Sequence, residues 1–287
     1  VRLAIVGLGL IGGSIARAIR LPSEDREPWW IAGWSPSGRS VRDATAAGVL
    51  DQASSSLEDV VQDADLIVLA APPLDCLTLL DALAASDPAA LAPTAVVTDV
   101  AGTKAAIVAR AAERGLPFVG GHPMAGSDRS GFAAADAGLF RDRPWVVAPS
   151  PGVAEEAVVR VERLARRCGA RPVRMGPDEH DRAVAGVSHL PLLLSAALVE
   201  AVAAGDDREV ALRLAASGWR DMTRLAAGDV EMATGIAATN APRLAARARD
   251  LRQVLDRWIA ELERDPGPDE ERLRDAFEAA RRATGRD

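Results

Sequence analysis

Short apolar runs alternate with amphipathic stretches through the first part of the chain. Residues 3–6, 30–34, 66–70, 95–98, 118–119 and 145–148 are short, strand-like and mostly apolar, while 11–20, 42–47, 57–64, 74–84 and 104–113 between them look helical. Such alternation predicts an α/β fold with a doubly wound parallel sheet covered by helices. Residues 155–168 and 171–175 predict one more helix and strand at the edge of that sheet.

After Gly176 and Pro177 the strand runs stop. Residues 178–204, 208–217, 230–239 and 242–263 read as helices rich in Ala, Leu and Arg, with a charged terminal helix near 270–282. This divides the chain into a first domain at 1–176 and an all-helical domain at 177–287. Helices with so little sheet to pack against predict a homodimer.

Composition narrows the partners. The formal charge is −7 and no basic block stands out, so nucleic acid and anionic membrane surfaces are not expected partners. No apolar run was expected to reach the roughly 18 residues of a membrane span, and the apolar start at Val1 runs into glycines without the marks of a signal peptide. Cys76 and Cys168 cannot form a disulfide framework and fit buried free thiols in the cytoplasm. The 34 basic residues are 33 arginines and Lys104, which singles that lysine out.

Gly7, Gly9 and Gly12 form G-x-G-x-x-G between the first strand and the helix that starts near Leu10 and Ile11. In a Rossmann-type domain these glycines permit the tight turn, the approach of a pyrophosphate and close packing of helix on strand. The helix N-terminus adds free amides and a positive dipole. We therefore expect an NAD(P) site, with Ala71 and Pro72 after the 66–70 strand also lining it. Where an acid commonly holds the ribose of NAD, the sequence has Ser35, with Arg39 close by, which favours NADP.

Of the three histidines, His122 follows the strand at 118–119, where an open parallel sheet places its ligand crevice. His180 and His189 are nine residues apart, hence on opposite sides of a regular helix and unable to share a metal. Asp181 and Ser188, seven apart, are expected on one face with Ala185 and Leu192.

Five ordered blocks, GLGLIGGS at 7–14, TDVAGTK at 98–104, GGHPMAGS at 120–127, HDRAVAGVSHLP at 180–191 and SGWRDMTRLA at 217–226, resemble the prephenate/arogenate dehydrogenase family of tyrosine biosynthesis. The resemblance implies a nucleotide-binding domain, a helical dimerisation domain, and oxidative decarboxylation of prephenate or arogenate with hydride transfer to NAD(P). It implies that His122 takes the proton of the ring hydroxyl, that Arg224 grips a substrate carboxylate, and that Ser127, His189 and Leu192 face the substrate. Asp181 and Ser188 fall near the nicotinamide and the support of the histidine.

Two departures from the family pattern matter. The usual serine of the 98–104 block is Gly102, leaving Thr103 as the candidate hydroxyl beside His122. Leu192 stands where prephenate-specific members carry a further histidine, which favours arogenate. A 4-amino-4-deoxyprephenate dehydrogenase and a non-catalytic dinucleotide sensor are the alternatives.

Overall fold

The computed structural model describes residues 1–23, 25, 27–86, 91–126 and 129–285. By packing, the protein divides into two compact units, Val1–Ala241 and Pro242–Asp287.

In the first unit, the order along the chain is β1 (Arg2–Val6), α1 (Leu10–Ile19), β2 (Trp30–Trp34), α2 (Arg39–Ala46), β3 (Gln52–Ala53), α3 (Leu57–Val61), β4 (Leu66–Leu69), α4 (Pro73–Ala85), β5 (Val96–Asp99), α5 (Ala105–Glu113) and β6 (Phe118–Pro123). Then come β7 (Pro144–Pro149), α6 (Glu155–Arg167) and β8 (Arg171–Arg174). The strands form one sheet ordered β3-β2-β1-β4-β5-β6-β7-β8. The chain winds outward from β1 to β3 and returns to β4 on the other side of β1, so the switch point lies between the ends of β1 and β4. Ligand crevices of such sheets open there.

The central strands are apolar over most of their length because both faces are covered, with Thr98 and Asp99 at the end of β5 as the buried exceptions. Ile15, Ile19, Val161 and Leu164 fill one side of the sheet, and Val60, Leu80, Ile107 and Phe118 fill the other. The free thiols of Cys76 and Cys168 are both buried, and burial pushes Cys168 up to about 12.

One expectation of the strand pattern changes in detail, since β7 runs antiparallel to β6. The link between them contains a short 3₁₀ turn, Phe132–Ala134, instead of a crossover helix, and no handed crossover is then needed. That link packs on α1, where Ser14 Oγ accepts from Asp136 N at 2.9 Å and a Cβ on Gly13 would lie 2.7 Å from the Phe132 ring. The two-residue β3 is too short to leave a periodic signal.

Helices follow: α7 (Pro177–Val184), a π-turn at Ala185–His189, α8 (Leu190–Ala203), α9 (Arg208–Arg213), α10 (Ser217–Thr223) and α11 (Val230–Thr239). As the sequence predicts, helix runs across Pro177–Ala203, with the π-turn inside it and Pro191 in the first turn after that π-turn. This corrects the expectation about apolar length: an 18-residue window of the helix has mean hydropathy 1.6, enough to span a membrane by length and composition alone. Its His180, Asp181, His189 and Ser195 are buried among protein groups. Val187, Leu214, Met222 and Val230 remain exposed on this helical part.

The second unit holds most of α12 (Ala241–Leu262), and α13 (Glu270–Ala283). Trp258 and Phe277 pack with ring centroids 4.8 Å apart, and Asp269 caps α13 through the amides of Glu271 and Arg272.

Candidate active site

The glycine loop leaves β1 with Gly7 at φ +102°, a left-handed conformation that favours glycine. A Cβ there would lie 2.3 Å from the Ala70 carbonyl oxygen, and one on Gly12 would lie 1.9 Å from that of Gly7. Both are fixed by the packing of loop, helix and β4. Gly9 differs, because a Cβ on it meets nothing within 4 Å. It faces open space, and α1 begins after it with no side-chain cap, which leaves the amides of its first turn free for an anion.

This loop opens on a cleft of about 420 Å³ whose lining includes Gly7, Gly9, Ser35, Ala71 and Pro72. Leu10 and Ile11 start α1 and Gly12 is buried behind them, and none of these three lines the cleft itself. The sequence did not single out Trp34, Ser40, Asp75 or Thr78, which also line it. Arg39 is exposed at the first turn of α2 and does not line the cleft itself. No carboxylate stands at the end of β2, where Ser35 follows Trp34. An uncapped helix start, an open glycine and a neutral β2 end fit a dinucleotide.

A second set of groups gathers beyond the ends of β5 and β6. Asp99, the last residue of β5, is fully buried and ion-paired with the equally buried Lys104. Its two oxygens also accept from Gly121 N and Ala101 N, each at 3.0 Å. Lys104 therefore ties the loop before α5 to the strand that carries His122. A Cβ on Gly120 would come within 3.0 Å of the lysine stem, so this glycine leaves the stem its channel. A guanidinium would overfill that space.

His122 is partly exposed near the end of β6, and its Nδ1 lies 2.8 Å from His180 Nε2. His180 Nδ1 lies 2.8 Å from Asp181 Oδ1. The Asp181 carboxylate accepts from Lys104 N at 2.8 Å and Ala105 N at 2.9 Å, at the start of α5. Loss of hydration, helped by His180, Lys104 and His189 nearby, holds His122 well below its usual range, so the imidazole is neutral at neutral pH. Burial would raise Asp181, but the His180 bond and the two amides outweigh it and keep the carboxyl low.

His189 and Asn240 complete the cluster. Asn240 Nδ2 donates to the Asp181 carbonyl at 2.8 Å and reaches His189 Nδ1 at 3.1 Å, while His189 Nε2 has no hydrogen-bond partner beside Gly102. Desolvation lowers His189 as well.

The π-turn overturns two expectations. Each of its residues turns the chain by less than the 100° of an α-helix, so His180 and His189 do not lie on opposite sides. Both are buried at one polar cluster joined through Asp181 and Asn240. For the same reason Asp181 and Ser188 separate: Asp181 is buried, whereas Ser188 is exposed. Ser188 lines a second pocket of about 480 Å³ with Leu192, Arg224 and Gly126, the last from the segment that follows β6. Thr103 is not brought to His122, because its hydroxyl pairs with Thr239 Oγ1 at 2.7 Å. Ser127 lies outside the described residues. The sequence reading missed His180, although the adjacent His-Asp pair in the first turns of a helix was a visible signal.

A glycine loop at the switch point of a largely parallel sheet, followed by helices, defines a Rossmann-type nucleotide-binding protein with a helical C-terminal part. The family model for the "Prephenate dehydrogenase, nucleotide-binding domain" matches residues 15–174, and that for the "Prephenate dehydrogenase, dimerization domain" matches 176–279. The chain is 34% identical to the prephenate dehydrogenase of Bacillus subtilis, over 91% of this chain and 68% of that protein. It is similar to the crystal structure of Synechocystis arogenate dehydrogenase, with 34% identity, TM-score 0.78, and 99% and 100% of the two chains covered. It is also similar to prephenate dehydrogenase from A. aeolicus in complex with hydroxyphenyl propionate and NAD+, with 25% identity, TM-score 0.87, and 100% and 98% covered. The chain belongs to the prephenate dehydrogenase family of oxidoreductases.

Proposed function

We propose that the protein oxidises and decarboxylates arogenate, and prephenate less well, with NADP preferred to NAD. The observation that carries this reading is His122, a desolvated and neutral imidazole beyond the sheet, held at Nδ1 and left with its second nitrogen for a substrate proton. In this account residues 1–176 hold the dinucleotide and 177–287 supply the substrate side and the dimer contacts.

Gly7, Gly9 and the first amides of α1, at Leu10 and Ile11, would hold the pyrophosphate, with Gly12 packed behind them, and Ala71 and Pro72 would line the opposite wall. Ser35 and Arg39 would accept a ribose 2′-phosphate where an acid would repel it. When bound, the dinucleotide supplies a hydride acceptor. His122 takes the hydroxyl proton at Nε2, the step a neutral imidazole performs best near neutral pH. Loss of the ring carboxylate as CO₂ makes the product aromatic, so the protein's main task is to position base and substrate. Arg224 would bind a carboxylate in the pocket shared with Ser188 and Leu192, and Ser127 and His189 are the remaining substrate-side candidates.

Leu192 supports arogenate, because it offers no hydrogen bond to the side-chain keto oxygen that prephenate carries in place of the amino group of arogenate. The exposed Val187, Leu214, Met222 and Val230, together with the dimerization description of the matching family model, support a homodimer. Two buried thiols fit a reducing cytoplasm.

The experiment is a matrix of arogenate, prephenate and 4-amino-4-deoxyprephenate against NADP and NAD, followed by absorbance of the reduced cofactor. Fastest turnover with arogenate and NADP is expected. No turnover with any pair, despite dinucleotide binding, would leave a sensor. Arg39→Ala should weaken NADP and spare NAD, and equal effects on both would remove Arg39 from the phosphate site.

A further inference from the structure

Asp181 is an acceptor at every bond its carboxylate makes: it takes hydrogens from Lys104 N, Ala105 N and His180. The amides can only donate, and the start of α5 favours negative charge at this point. His180 must then carry its hydrogen on Nδ1, which makes its Nε2 an acceptor. With a neutral His180, the arrangement that satisfies the 2.8 Å contact to His122 is donation from His122 Nδ1–H. Its Nε2 is left as the lone-pair nitrogen.

We propose that His180 and Asp181 are positioning residues that fix His122 as the Nδ1–H tautomer and so present Nε2 as the base. The reading rests on His122 acting as described above. When Nε2 takes the substrate proton, His122 becomes an imidazolium whose Nδ1–H still donates to His180, and the Asp181 carboxylate offsets the new charge through that ring. This arrangement supports the histidine without a hydroxyl, since Gly102 has none and that of Thr103 is engaged with Thr239. The other titratable groups facing the cluster are Lys104, paired with Asp99, and His189.

His189 has the opposite tautomer. Asn240 Nδ2 is bound to the Asp181 carbonyl and so presents a donor to His189 Nδ1, which places the His189 hydrogen on Nε2. The chain has three histidines, so their ring signals can be assigned by removing one at a time.

Long-range proton–nitrogen NMR of the full chain above pH 7, labelled with ¹⁵N at histidine and without substrate, reads all three tautomers. Nδ1–H is expected for His122 and His180, with Nε2–H for His189. An Nε2–H signal from His122 or His180 overturns the proposal, whether or not the protein turns over the proposed substrates. A second arm uses His180→Phe, which keeps a ring in place and removes the acceptor of His122 Nδ1–H. His122 should then shift to Nε2–H, with kcat falling about a thousandfold or more and dinucleotide affinity unchanged. An unchanged His122 tautomer in folded His180→Phe would overturn the assigned role. Should that variant fail to fold, the spectrum of the unaltered protein decides alone.

Discussion

Replacing Lys104 by Met should cost more stability than any surface substitution in this protein. Lysine and aspartate are both fully buried, and among the described residues the Asp99 carboxylate has the amides of Gly121 and Ala101 as its other partners. Methionine fills much of the channel beside Gly120 but leaves a carboxylate without its counter-ion. Breaking a buried pair from one side costs about 3–5 kcal/mol, against about 5–15 kcal/mol for a whole domain. Urea unfolding followed by tryptophan fluorescence reads the loss.

The pH dependence has a definite sign. In Lys104→Met the orphaned Asp99 titrates above its unfolded value, so between the two pKa values the native state binds more protons than the unfolded state. Stability then falls as pH rises above the unfolded value, and the deficit against the parent protein grows with pH. Adding Asp99→Asn removes the unpaired charge, so the double variant should be more stable than Lys104→Met alone. A loss below about 1 kcal/mol, or strict additivity of the two substitutions, would refute the picture of a buried pair bracing the strand of His122.

Three further outcomes follow from the site. Gly102→Ser should stabilise the protein by about 0.5–1.5 kcal/mol, because its Cβ has room, 3.6 Å from Ile236 Cδ1 and 3.9 Å from His189 Nε2, and its hydroxyl can accept the hydrogen of that unpartnered nitrogen; thermal unfolding checks this. Gly9→Val should leave the fold intact and abolish dinucleotide binding in a calorimetric titration, whereas Gly12→Ala should destabilise the fold itself, since only the second Cβ collides with backbone. The acid limb of kcat/KM should have its midpoint below 6.5, because His122 protonates only below the usual histidine range; by linkage, its contribution makes stability rise with pH up to about 6.5.

The sequence made the strands legible wherever burial on both faces left continuous apolar runs, and it made the glycine loop legible because packing leaves Gly7 and Gly12 no alternative. Lys104 stood out by composition alone, and the structure gives the reason in its buried pairing. What stayed hidden depends on geometry that residue spacing does not encode. The antiparallel turn of β7 comes from a link without periodicity, and the π-turn breaks the 3.6-residue rule from which the faces of His180, Asp181, Ser188 and His189 were read. Thr103 was plausible by adjacency to Gly102, but its side chain meets α11, a partner far away in sequence.

The central claim is that His122 is the base for the substrate hydroxyl. Its most direct test compares His122→Asn with the parent protein in steady-state turnover of arogenate with NADP, alongside calorimetric dinucleotide affinity. Turnover should be lost while affinity stays within about twofold, a difference of roughly 0.4 kcal/mol. Near-parental turnover in His122→Asn would contradict the account.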